Sequence, residues 1–156
     1  MDAQDSLLLK EEYFHLNKIV EDFDQKALTI KAWSVTLSMA GIGAAFTQKV
    51  AILLLLGGFA SILFWITETL WKSFQQAHYT RIREIEVSFA NGSPEIRPLQ
   101  ISKSWSQAWR RDRWRKLFRI SCWPHVFLPH AIVAVAGPCM WMLNRLYPFV
   151  PVLASP

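Results

Sequence analysis

The chain has 156 residues, 52% of them hydrophobic and eight of them tryptophan, with a formal net charge of +5 and a mean hydropathy of +0.17. A soluble domain of this length rarely carries so much apolar and aromatic surface, so the composition predicts a membrane protein with a positively charged face. The two cysteines, Cys122 and Cys139, lie in an apolar segment without the spacing of a metal site. We therefore expect neither a metal ion nor another cofactor.

Residues 1–26 predict a cytoplasmic amphipathic helix that begins near Asp5 or Ser6. Apolar residues recur there at alternating steps of four and three, and the seam continues into the next segment: Leu9, Tyr13, Leu16, Val20, Phe23, Ala27 and Ile30. Such a seam lies on one side of a helix and favours packing against another helix. The pattern leaves two partners open, the protein's own cytoplasmic part or the same helix in other copies.

Three segments predict membrane-spanning helices, because each offers about 20 mostly apolar residues, enough to cross a bilayer. Residues 27–46 and 50–70 are the first two, and the very short connection between them predicts an antiparallel hairpin. Residues 120–143 are the third, and three prolines within it predict kinks: Pro124, Pro129 and Pro138.

Residues 71–119, between the second and third spans, predict a cytoplasmic helical and basic region that we interpret as a gating region. The helix of the second span continues to about residue 89 along an apolar stripe of Phe74, His78, Ile82, Ile85 and Phe89. The sequence Asn-Gly-Ser-Pro then ends it. A connector over residues 94–103 and a short helix from about Ser104 complete this region.

The distribution of cations predicts the orientation in the membrane. Eleven of the seventeen Lys and Arg residues fall between residues 72 and 119, and such an excess marks the cytoplasmic side. The N-terminus is then cytoplasmic as well, and the tail, residues 144–156, lies outside. The predicted fold class is therefore an all-α membrane protein with three spans.

The first span carries two neighbouring stripes of small and polar residues. One contains Lys31, Ser34, Ser38, Gly41, Ala45 and Gln48, and the other contains Thr29, Thr36, Ala40, Gly43 and Thr47. Small residues allow close helix packing, and hydroxyls form hydrogen bonds across the contact. The alternative is that one stripe packs while the other, taken to be the Lys31 stripe, lines a pore between several copies of the chain.

Three ionisable residues near the spans have two interpretations each. Glu68 pairs with Lys72 one helical turn away, or it joins the pore lining as part of a carboxylate ring that selects cations. His125 and His130 are polar groups at the membrane interface, or they respond to pH.

The stretch WRRDRWRKLFR, residues 109–119, contains six cations and a single acid. Cations just outside a span bind anionic lipid, whereas aromatic rings among cations can bind single-stranded nucleic acid or a nucleotide. The candidate ligand-binding residues for either partner are Trp105, Trp109, Arg110, Arg111, Arg113, Trp114, Arg115, Lys116 and Arg119.

The sequence contains no enzyme motif, and we expect no catalysis. It has no Gly-rich phosphate loop and no HExxH or G-x-S-x-G element. Arg119 and His125 are the nearest approach to a ribonuclease-like pair, and Pro124 disrupts the helix that such a pair needs.

The run EDFDQKALTIKAWSVTLSMAGIGAAF, residues 21–46, joins an acidic helix to a span rich in small residues. In this layout, over about its first 90 residues, the chain resembles small bacterial membrane effectors of antiphage systems. These are encoded beside nucleotidyltransferases, in CBASS-like operons and in the Hailong system. The resemblance implies a homo-oligomeric effector that depolarises the inner membrane. It also implies gating by a nucleotide or a short single-stranded DNA that the partner nucleotidyltransferase makes.

The predicted function is thus a homo-oligomeric channel that acts as a toxic defence effector. A membrane-anchored adaptor that recruits a cytoplasmic partner is the main alternative, and a membrane-associated nuclease is a third.

Overall fold

A computed structural model describes residues 3–92 and 96–150, and within these ranges the protein is all-α. The described part contains five helices: α1 (Ala3–Thr47), α2 (Ile52–Ala90), α3 (Ile101–Arg110), α4 (Arg113–Ser121) and α5 (Pro124–Leu146). The chain forms two compact units. Of the described residues, unit 1 comprises 3–27, 70–92 and 96–119, and unit 2 comprises 28–69 and 120–150.

Two helices, α2 and α5, contain segments that are long and apolar enough to cross a membrane. Only 28% of the apolar segment in α2 and 17% of that in α5 is buried. The core helix of a soluble protein would be mostly buried, so this exposure supports a membrane-associated protein. Among the described residues α1 does not meet the same criterion, because Lys31 and its small and hydroxylated residues make the predicted first span more polar. Two of the three predicted spans are thus found as candidates.

The end of α2 agrees with the sequence, whereas limits of the other helices differ, including the start of α1 at Ala3 rather than near Asp5 or Ser6. The helix α2 continues without a break to Ala90, close to the predicted end near residue 89. The predicted short basic helix is two helices instead. The first starts at Ile101 rather than near Ser104, and the chain turns at Asp112, whose φ is +52°.

The helix α5 starts at Pro124 and not at residue 120, and it ends at Leu146 rather than at residue 143. Proline suits the first turn of a helix, because no backbone hydrogen bond is lost there. The predicted position of the third span is therefore corrected by about one turn. Pro129 and Pro138 lie inside the helix, as the predicted span requires.

The connection between α1 and α2 is a tight turn within unit 2. Lys49 has a φ of +57°, and the backbone N–H of Val50 donates to the carbonyl oxygen of Ala45 at 3.0 Å. This is the helix-ending geometry that glycine usually occupies. The turn reverses the chain, so the first two predicted spans form an antiparallel hairpin within this unit.

Unit 1 is built on the N-terminal seam. Leu9, Leu16 and Val20 pack against Ile82 and Ile85 of α2 in one buried cluster. The seam therefore packs on its own chain, which is one of the two partners that the sequence leaves open.

A buried ion pair reinforces unit 1. The Arg81 guanidinium donates to both carboxylate oxygens of Glu12, at 2.7 and 3.3 Å. It also contacts Glu84 at 3.2 Å and donates to the carbonyl oxygen of Arg97 at 2.8 Å. The backbone N–H of Leu99 donates to Glu12 at 2.7 Å. These bonds fix residues 97–99 against α1 and α2.

Unit 2 depends on close contact between α2 and α5. A Cβ atom placed on Gly137 would lie 2.5 Å from the carbonyl oxygen of Leu54 and 3.1 Å from the Cα of Gly58. Backbones approach this closely only where side chains are missing, as at many helix contacts in membranes. At the end of α5, the side-chain oxygen of Asn144 accepts a hydrogen bond from the backbone N–H of Val150 at 2.6 Å. This bond holds the residues that follow α5 against the end of that helix.

Candidate functional site

The two stripes of the first predicted span have different surroundings. Ser34, Ser38 and Ala45 are almost fully buried within unit 2, and Lys31 and Gly41 are half-buried, whereas Gln48 is exposed. The neighbouring stripe lies on the surface of the unit: Thr29, Thr36, Ala40, Gly43 and Thr47. The Lys31 stripe therefore packs inside the chain, and the other stripe is the one available to lipid or to another copy.

Glu68 is the centre of a buried polar cluster in unit 2, and its side chain is 0% exposed. The Lys31 ammonium lies 3.0 Å from Oε1 of Glu68 and forms an ion pair with it. The angles between the two groups do not fit a hydrogen bond, so Oε1 has no hydrogen-bond partner among the described residues. The imidazole Nε2 of His130 lies 2.9 Å from Oε2. The three side chains come from three different helices, α1, α2 and α5.

His130 is held at both ring nitrogens and at its backbone. Its Nδ1 lies 3.0 Å from the hydroxyl of Ser34, and the hydroxyl of Ser61 donates to its carbonyl oxygen at 2.9 Å. An ionised Glu68 carboxylate only accepts hydrogen bonds, so with a neutral ring Nε2 carries the proton. We assign Nδ1 as the acceptor from Ser34 on the same ground.

Ser38 extends this polar row by one further helical turn. It is 1% exposed, and its hydroxyl has no hydrogen-bond partner among the described residues. A buried hydroxyl without a partner costs about 1–3 kcal/mol. Ser38, Ser34, His130, Glu68 and Lys31 thus form a row of polar side chains inside unit 2.

Stability alone does not explain this cluster. Apolar residues of similar size often replace a buried ion pair without loss, because desolvation cancels most of the attraction between the charges. Ionisable groups in spanning segments are also rare and mark ion or proton pathways. We therefore take Lys31, Glu68 and His130 as the candidate functional site.

The expected pairing of Glu68 with Lys72 is wrong. Lys72 instead contacts Asp24 at 2.5 Å and Gln75 at 2.9 Å within unit 1. The expectation used only the one-turn spacing along α2, whereas Glu68 faces Lys31 and His130 across the helix contacts. The sequence interpretation also missed the roles of His130 and Ser61.

In the second predicted site, the basic and aromatic segment, some side chains are packed within unit 1 and others are exposed. Trp105 and Trp109 stack on each other in unit 1, with ring centres 5.8 Å apart and planes 7° apart. Both also contact Phe74, and the indole N–H of Trp105 donates to the carbonyl oxygen of that residue at 3.1 Å. These two tryptophans therefore pack within the unit.

The remaining members of the segment are partly bound and partly exposed. The Arg113 guanidinium lies 5.0 Å from the ring centre of Trp109 and 4.9 Å from that of Trp114. The Lys116 ammonium donates to the carbonyl oxygen of Ala108 at 2.8 Å. Trp114 is 74% exposed, and exposed arginines accompany it: Arg110, Arg111, Arg115 and Arg119.

Within residues 3–92 and 96–150, no group of three or more His, Cys, Asp or Glu side chains is arranged to hold a metal ion. No family model matches the sequence, and comparisons with curated proteins and with solved structures find no match. The resemblance to antiphage effectors therefore stays a prediction from the order of segments in the sequence.

Proposed function

We propose that the protein is a membrane effector that lets protons cross the bilayer, with Lys31, Glu68 and His130 as the proton-handling site. One observation carries this proposal. Three ionisable side chains from three helices meet in unit 2, and Glu68 and His130 are fully buried. An imidazole can accept a proton at one ring nitrogen and donate one from the other, which suits such a role.

The hydrogen bonds of His130 give a path for the proton. A proton arriving through the Ser34 hydroxyl binds Nδ1, and the proton on Nε2 then passes to Oε2 of Glu68. One N–H bond forms, another breaks, and the carboxylate becomes a carboxylic acid, so charge is conserved. The Lys31 ammonium lies 3.0 Å from the other carboxylate oxygen, Oε1, and its side chain is partly exposed, so it is the positive charge beside the proton-accepting group.

The exposed stripe of α1 and the resemblance support a wider role. The exposed stripe of α1, which includes Thr36, Ala40 and Gly43, has the small and hydroxylated residues that join helices in membranes. We propose that several copies assemble through it as a homo-oligomeric channel in the bacterial inner membrane, with the 72–119 side cytoplasmic and the C-terminus outside. Proton flow through it would depolarise that membrane. Defence against phage and gating by a nucleotide or short single-stranded DNA rest on the resemblance.

Proton flux through liposomes tests the proposal. The full chain is reconstituted with a pH-sensitive dye inside, and a potassium gradient with valinomycin supplies the driving potential. We expect the wild type to acidify the liposomes and His130→Gln to fall to the level of protein-free liposomes. Glutamine keeps hydrogen-bonding capacity in the side chain but does not exchange protons at neutral pH.

His125→Gln is the matched control, because His125 lies on the same helix and is exposed. Its flux should equal that of the wild type. A wild type that conducts no protons either with or without added short single-stranded DNA, or equal flux in both glutamine variants, would contradict the proposal.

A second candidate function is supported by a separate surface. An apolar groove of about 620 Å³ lies in unit 1 between the start of α1 and the end of α2. Leu7, Phe14 and Phe89 line it and are 58%, 61% and 46% exposed. A groove of this kind fits an adaptor that holds a cytoplasmic partner at the membrane. The same liposome assay separates the two functions, since an adaptor would give no flux.

A further inference from the structure

Two aromatic rings stand out from the surface of α4. Trp114 is 74% exposed and Phe118 is 75% exposed. Residues four apart share one side of a helix, so both rings lie on the same side of α4. Large aromatic side chains this exposed usually mark a surface that another component covers.

Arginines flank the aromatic pair. Arg115 and Arg119 are exposed and each follows one of the rings by one residue on α4, and Arg111, also exposed, lies in the turn just before this helix. None of the three forms an ion pair with a carboxylate in the described ranges 3–92 and 96–150. Among the described residues these three charges are therefore not held by a carboxylate and are available to an anionic group.

The position of α4 in the chain indicates which component covers this surface. Only Cys122 and Trp123 separate α4 from α5, one of the two candidate spans. A helix that immediately precedes a span and carries aromatic rings beside cations suits the membrane interface. There the rings enter the headgroup region and the cations bind phosphates.

Ring geometry favours lipid over single-stranded nucleic acid for the same residues. Stacked bases need a series of free ring faces. Trp105 and Trp109 use theirs for each other and for Phe74, and the Arg113 guanidinium lies over both Trp109 and Trp114. Insertion at a lipid interface needs exposed ring edges and not free faces. We infer that α4 is a binding site for anionic phospholipid, with Trp114 and Phe118 in the interface and Arg111, Arg115 and Arg119 on the headgroup phosphates.

Quenching of tryptophan fluorescence by brominated lipid tests this inference. The full chain is reconstituted in phosphatidylcholine bilayers that contain a small, equal fraction of either brominated phosphatidylglycerol or brominated phosphatidylcholine. Subtracting the emission of Trp114→Leu isolates the signal of Trp114. We expect brominated phosphatidylglycerol to quench that signal more strongly, because the arginines concentrate anionic lipid around α4.

Two triple variants separate the local charges from the net charge. Replacing Arg111, Arg115 and Arg119 with Gln should abolish the difference between the two brominated lipids. Replacing Lys10, Lys18 and Arg83 with Gln removes the same charge from other exposed positions of unit 1 and should leave the difference intact.

Two results would overturn the inference. One is equal quenching of Trp114 by both lipids in the wild type, and the other is a preference that survives the α4 triple variant. If the lipid preference is absent and labelled single-stranded DNA binds the wild type but not Trp114→Leu, the surface belongs to nucleic acid instead. Proton flux does not enter any of these readouts, so the outcome is independent of the proposed function.

Discussion

Gly137 offers a sharp test of the contact between α2 and α5 in unit 2. In Gly137→Ala the new Cβ would lie 2.5 Å from the carbonyl oxygen of Leu54, and distances under 3.0 Å are essentially never tolerated. The obstacle is backbone and not a flexible side chain. The two helices would therefore have to separate by about half an ångström at this point, which also loosens the contact with Gly58.

The expected magnitude combines two opposing effects. Overpacking of this kind costs about 1–3 kcal/mol, and replacing a helical glycine with alanine contributes about 1 kcal/mol in favour of the helix. Because the backbone on both sides resists movement, the upper part of the cost applies. The variant should lose about 1–2 kcal/mol in its free energy of unfolding.

Gly43→Ala is the matched control. It makes the same chemical change inside a helix of the same unit, but its new Cβ would meet nothing within 4 Å. Only the gain in helix propensity remains, so this variant should be more stable than the wild type by up to about 1 kcal/mol.

Thermal unfolding followed by circular dichroism in detergent measures both variants. The two alanines should shift the unfolding temperature in opposite directions. A Gly137→Ala variant as stable as the wild type, or a shift of the same sign in both, would refute the close approach of α2 to α5.

Two further predictions concern unit 1. Glu12→Gln should lower the free energy of unfolding by about 3 kcal/mol. This is the lower end of the range for breaking a buried ion pair, because other partners of the Arg81 guanidinium remain. Asp24→Asn, at a half-exposed ion pair, should cost under about 1 kcal/mol in the same unfolding assay. His78, beyond the predicted span 50–70, has its pKa lowered from 6.5 by burial and, secondly, by the charge of His15. The unfolded chain therefore binds this proton first as pH falls, so stability should decrease from about pH 6.5 down to the lowered pKa, and His78→Phe should remove that part of the pH dependence.

Much of the fold could be predicted from periodicity, because a helix needs only local information. The seam of Leu9, Leu16 and Val20 is buried, and α2 continues well past its apolar segment as its stripe indicates. The division of the basic segment into α3 and α4 could not be predicted in this way. It depends on two residues, Arg111, whose ψ of 118° is extended, and Asp112, whose φ is positive, and periodicity shows neither.

The roles of the tryptophans were harder to predict for a different reason. Spacing places Trp105 and Trp109 on one face, but it does not say whether that face meets solvent or Phe74. The structure gives them a packing role and leaves Trp114 exposed. The alternative partners of the segment can be separated only once these surroundings are known.

The buried cluster could have been derived in part. In the predicted spans, residues 27–46, 50–70 and 120–143, Lys31 is the one Lys or Arg and Glu68 the one acid. Charges in spans pair with each other where geometry allows. In an antiparallel hairpin whose turn lies between Thr47 and Ile52, Lys31 and Glu68 are equally far from the turn along their helices. At about 1.5 Å per residue both lie about 25 Å from it, at the same level.

His130 could not be placed by this reasoning. A long connector of residues 71–119 separates the third predicted span from the hairpin, so distance along the sequence does not fix the depth or rotation of this histidine relative to Glu68. The local pattern shows only a histidine that follows Pro129 and precedes a run of apolar residues. The fold instead places its fully buried ring between Ser34 and Glu68. Because the site is formed by three helices, its hydrogen-bond path follows only from the contacts that the third helix, α5, makes with the other two.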